Sequence, residues 1–258
     1  MNGSLTHACS RHSRVVGPIA LALLSAPALA QFSTLDLKNA CELNPGNIVR
    51  IDGPMLVDRG APAQTPQQVT TGCTLVLGEF GKFETKEIGM RFAGPLTIQG
   101  AHKGFVSMSD TSLAARSVGV SLLGSDSVFI MSESNLQASA GNVSVTLGPI
   151  GKIEFVDILP FQPFLINASG SVAVSGGEKF TFIMKGGNLQ AGAAMNIDMA
   201  GNDTLLLADS ASLIAGSGAL NLNASMNKAT MTLNQGAYRG ASVNIALAGA
   251  ESSMGLKD

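Results

Sequence analysis

The chain has 258 residues, 45% of them apolar and 13% charged, with a formal charge of −2, one tyrosine and no tryptophan. That is enough apolar chain to bury a sizeable core. So few and so balanced charges argue against a nucleic-acid partner, whose backbone calls for clustered Lys and Arg.

Residues 1–30 read as an export signal. Arg11 and Arg14 precede the apolar stretch Val15 to Leu24, and Ala28-Leu29-Ala30 forms a small-residue cleavage site before Gln31. The stretch is short and carries Pro18 and Pro27, which argues against a membrane anchor, and no later segment is apolar for long enough to span a bilayer. The expected location is therefore outside the cytoplasm: periplasm, outer surface or extracellular space. Removing the signal also removes two arginines, Cys9 and two of the three histidines. The remaining cysteines, Cys41 and Cys73, are expected to pair in an exported chain.

Residues 31–95 are irregular and are assigned to an N-terminal cap and the first atypical rungs, stapled by that disulfide. Asp58 to Thr71, with Pro62, Pro66, Gln67 and Gln68, reads as a surface loop. From residue 96 to residue 258 the pattern becomes regular. Gly100, Gly124, Gly148, Ser175, Gly201, Ser225 and Gly249 recur at intervals of 24 to 27 residues. Before each marker lies a short alternating run, such as Val120-Ser121-Leu122 or Leu220-Asn221-Leu222, the mark of a half-buried strand. After it comes a more apolar run, such as Val128 to Met131 or Leu205 to Leu207, and then a third short element such as Asn135-Leu136-Gln137-Ala138. A fixed period in the twenties with three strands per unit predicts an all-β fold, a parallel β-helix or β-solenoid of about 24-residue rungs. Glycine and serine suit its corners, where the chain turns sharply and φ > 0 is tolerated. An antiparallel sandwich is the competing architecture, and helices are not expected. The segment Gly148 to Ala168, with Pro149, Pro160 and Pro163, reads as an insertion whose Phe161 and Phe164 could sit in an exposed loop.

Chemistry-bearing groups are sparse. His102 is the one histidine after the signal, so His-rich metal sites are out and a serine-hydrolase triad would have to use it. No P-loop or dinucleotide-binding glycine motif occurs. Aligning the rungs places Asp110, Glu133, Asp157, Lys185 and Asp209 at the ends of successive second strands. Stacked carboxylates repel unless solvated, protonated or bound to a cation. Asp110, Glu133 and Asp157 are thus the candidates for a Ca²⁺ site, oxygen donors for a hard cation, and for acid–base work on a glycosidic bond. The bland alternative is solvated charge at a strand end. A second column, His102, Asp126, Glu178, Asp203 and Asn227, falls at the preceding turn, where Asp and Asn are ordinary. No cofactor is expected apart from that possible Ca²⁺.

With rungs, cap and export signal in place, the chain resembles the secreted right-handed parallel β-helix proteins, which include polysaccharide lyases and hydrolases and the passengers of bacterial adhesins. The resemblance rests on period and pattern over roughly residues 75–250. It implies either an adhesin-like surface role, closest in Gly, Ser, Asn and Val content, or a polysaccharide-acting enzyme using the acidic column. The missing aromatics, histidine and base residues lean away from the enzyme. The expected partner is a polysaccharide or a protein at the cell surface, and self-association through the last rung is a third expectation.

Overall fold

A computed structural model describes residues 30–58, 66–157 and 163–257. The predicted leader up to residue 29, the stretch around Pro62, and Pro160 with Phe161 lie outside the described residues.

Three parallel sheets wind into a solenoid. Among the described residues one wall has ten strands, from Ala30–Ser33 to Ser253–Lys257. A second has nine, from Ile48–Ile51 to Val243–Leu247, and a third eight, from Gln67–Val69 to Ala237–Arg239. Every neighbouring pair is parallel and one rung apart: Leu96 sits beside Val118, Val118 beside Val143, and Val143 beside Val172. The three-walled pattern already runs from Ile48, with Cys73 in register with Leu96. Stacking is what makes each short strand stable. A four- or five-residue strand cannot bury one face alone, whereas neighbours about 4.8 Å away satisfy its backbone and extend its apolar stripe.

The alternating residues supply that stripe. Val118, Val120 and Leu122 point inward and are buried, while Gly119 and Ser121 face out. Phenylalanines fill the middle of the column: Phe155 packs edge-on against Phe129 at 5.4 Å and Phe182 at 5.6 Å. The insertion folds back into this cluster. Phe164 is fully buried, 5.5 Å from Phe155, and not in an exposed loop as its proline-rich context suggests.

The N-terminal end is closed by one helix, α1 (Thr34–Leu43), in a chain whose short Gly-, Ser- and Val-rich segments predict none. Ser33 caps it, its Oγ accepting from the Asp36 amide while the Asp36 carboxylate accepts from the Ser33 amide. The helix buries Leu37 and Cys41 and lies over the first strands of all three walls. The Cys41–Cys73 disulfide fixes it to the nine-stranded wall. No helix among the described residues is long and apolar enough to cross a membrane.

Candidate functional site

The corner between the ten- and eight-stranded walls carries the acidic residues, but the registers divide them. Asp110, Glu133 and Asp157 follow the last strand residues Ser109, Ser132 and Val156. Lys185 and Asp209 are themselves last strand residues, stacked on Val156 and on each other. The five-membered column is therefore two ladders offset by one residue, so Lys185 and Asp209 do not stack on Asp157. Glu87 takes the place of the two departed members. It lies 23 residues before Asp110, and its amide donates to the Ser109 carbonyl as the Asp110 amide donates to Ser132. The spacing of 23 was available as a signal.

Glu87, Asp110 and Glu133 share left-handed backbone, with φ of 54°, 47° and 49°. With Thr111, Ser112 and Asn135 they line a cavity of about 190 Å³. Its floor is a buried polar seam: Thr111 Oγ1 donates to Thr85 Oγ1 at 3.0 Å, and the Thr111 amide donates to Ser134 Oγ at 3.1 Å. Lys86 lies 3.6 Å from the Glu87 carboxylate. Glu133 turns Oε1 out of solvent with no hydrogen-bond partner among the described residues. The cavity is below the size that encloses a drug-sized ligand, roughly 300 Å³ and up. Among the described residues no group of three or more His, Cys, Asp or Glu is arranged to hold a metal ion.

Asp157 does different work. Its Oδ1 accepts from the Phe164 amide at 2.6 Å, so it ties the two sides of the insertion together. Burial pushes its carboxyl above the ordinary aspartate range, against the opposing pull of hydrogen bonds from the Phe164 and Gly187 amides.

The second column splits in the same way. The Phe80, Lys103 and Asp126 amides donate to the His102, Ser125 and Pro149 carbonyls, and the Ile150, Lys179 and Asp203 amides to those of Glu178, Asn202 and Asn227. So His102, Glu178 and Asn227 belong to one ladder, and Asp126 and Asp203 to the next. That next ladder alternates in charge toward its end, Lys179, Asp203, Lys228, Glu251, with Lys228 and Glu251 4.0 Å apart. His102 accepts or donates through Nδ1 to Ser125 Oγ at 3.0 Å and packs against Phe80.

The largest chemical contrast lies between the outer faces of the walls. The nine-stranded wall shows Thr97, Ser121, Ser144, Ser175, Asn196 and Asn221 to solvent, with Asn244, Asn221 and Asn196 linked side chain to side chain. The ten-stranded wall shows two apolar patches divided by one charged rung. In register along the wall run Ile130, Glu154, Ile183 and Leu207, flanked by Phe105, Val128, Lys152, Thr181 and Leu205 on one side and by Val156 on the other. These outer residues are half-buried by their neighbours alone. One ion pair lies on that rung, Lys152 to Glu154 at 2.6 Å, and Lys82 sits over the Phe105 ring at 5.6 Å. The sequence signal was the unbroken apolar run, as in Leu205-Leu206-Leu207. A strand apolar on both faces lacks the alternation of a half-solvated one.

No protein-family model, no curated protein and no solved structure matches this chain.

Proposed function

We propose that this chain is an exported, non-enzymatic β-solenoid with an adhesin-like role, and that it meets a protein or polysaccharide partner at the cell surface through the outer face of its ten-stranded wall. The observation that carries the reading is the apolar surface of Ile130, Ile183, Leu205 and Leu207 on one wall of a solenoid whose neighbouring wall is Ser-, Thr- and Asn-faced. Scattered surface apolar residues need no explanation, but apolar patches gathered on one wall on either side of a single ion pair mark a surface that is covered in use. Export is supported by the signal-like residues 1–30 and by a disulfide of the kind that persists in oxidising compartments.

The acidic corner supports the enzyme less well. Glycosidic cleavage asks for two carboxylates on opposite sides of the scissile bond. Here Glu87, Asp110 and Glu133 stack on one edge of a small cavity, and Asp157 is occupied with the insertion. The orphaned Glu133 Oε1 is the one feature that favours a cation there. A single assay separates the readings: product release from pectin, alginate and related polyuronates, with and without millimolar Ca²⁺, by the chain and by Glu133→Gln. The proposal expects no turnover in any condition. Turnover abolished by Glu133→Gln would replace it with the enzyme.

A further inference from the structure

The two ends of the solenoid differ. Helix α1 and its disulfide cover the N-terminal end. At the other end, among the described residues, the last strand of each wall has an unpaired edge: Ala237–Arg239, Val243–Leu247 and Ser253–Lys257. Their inward side chains continue the core column; Tyr238 and Leu247 pack against it, while Val243, Ile245, Met254 and Leu256 stand open. Val243 is 43% exposed and Leu256 69%, whereas Leu220 and Leu233, their partners one rung below, are 0% and 3%. Open backbone edges over apolar side chains are a template for another chain.

We infer that this end seats a second copy of the chain about a two-fold axis through Val243–Leu247, giving a closed dimer. The inference stands independently of the function proposed above. Head-to-tail stacking would need the N-terminal end, which α1 occupies. Two copies meeting end to end must pair their strands antiparallel, because the axis reverses the winding. The three terminal strands are successive thirds of a rung, so each stands about 1.6 Å above the one before, a third of the strand spacing. An axis through the middle strand, Val243–Leu247, cancels these steps. The lowest strand of one copy, Ala237–Arg239, then faces the highest strand of the other, Ser253–Lys257, and all three contacts close to one strand spacing together. An axis through either other wall leaves gaps.

The side chains agree with that axis. Antiparallel pairing centred on Ile245 sets Val243 opposite Leu247 of the second copy and Ile245 opposite its own counterpart, all on the core-facing side. It also brings the start of Ser253–Lys257, where Glu251 stands, to the end of the other copy's Ala237–Arg239, where Arg239 stands. These groups are of opposite charge, and the axis makes the contact occur twice.

The test is sedimentation and light scattering of the chain after export, in which Cys41–Cys73 forms. The expected species is a dimer and nothing larger. Ile245→Lys, which opposes two ammonium groups on the axis, should raise the dissociation constant about 30-fold or more. Arg239→Glu should weaken the dimer, and adding Glu251→Arg should restore it. Because Ile245 is 38% exposed at an edge, Ile245→Cys keeps the fold and should cross-link as a dimer on oxidation. A monomer at every concentration, a ladder of higher species, or an Ile245→Cys variant that stays uncross-linked would overturn the inference.

Discussion

The corners of this solenoid invert the usual assignment of glycine. Gly124 and Gly148 mark the repeat in the sequence, yet neither has positive φ; a Cβ on them would fall 1.7 Å and 2.1 Å from the Ala101 and Leu123 carbonyl oxygens of the rung below. They are glycine because rungs approach closely there. The left-handed positions are held instead by Lys103, Asp126, Ile150, Lys179 and Asp203. Ile150 is the least suited, being β-branched at φ 57° while 49% exposed. Its strain of about 1 kcal/mol has no packing to offset it. Ile150→Asn is therefore expected to raise the thermal midpoint by about 2–4 °C, read by calorimetry, and a lower midpoint would contradict it. This scale was the least legible in the sequence. The period located the corners, but Asp110 and Lys185, one residue apart in register, look alike until strand pairing is known. The period alone therefore groups Lys185 and Asp209 with Asp110, one residue out of register, and leaves out Glu87.

At the scale of elements, the strands were legible from alternation and helix α1 was not. Its capping signal, Ser33 followed three residues later by Asp36, was present. The helix spans ten residues between irregular segments and leaves Leu35 and Leu43 exposed, so it gave little helical periodicity to read. What holds it is tertiary. Glu42 accepts from the Thr70 amide at 2.7 Å and pairs with Lys38, joining the helix to the first strand of the eight-stranded wall. Those hydrogen bonds, the one from Lys38 foremost, hold the Glu42 carboxyl down to about 2 from an ordinary 4.5. A carboxyl with a depressed pKa in the folded state stabilises above its unfolded value and loses that contribution as pH falls toward the folded one. Glu42→Gln is therefore expected to be less stable than the parent at neutral pH. The difference should shrink as pH drops from about 4.5 to about 2. Urea unfolding at several pH values checks it, and a difference that stays constant across that window would refute the assignment.

For the whole molecule, the repeat carried the architecture: parallel rungs of about 24 residues and a stapled end were both readable. The apolar outer surface was not. A run such as Val128-Phe129-Ile130-Met131 states that both faces of a strand are apolar, and without coordinates the plain inference is burial on both sides. Only the fold shows that one of those faces has nothing of this chain over it among the described residues. The adhesin-like reading depends on that face being available to a partner and dispensable for folding. The measurement that tests it most directly compares retention of labelled protein on intact bacterial cells for the parent chain and for a triple variant, Ile130→Thr/Ile183→Thr/Leu207→Thr, with thermal unfolding of both. Threonine keeps strand propensity while removing the apolar surface. The account predicts that the parent is retained, that the variant loses most of that retention, and that the unfolding midpoint moves by only a few degrees. Equal retention of the two proteins, or a variant that no longer folds, would contradict it.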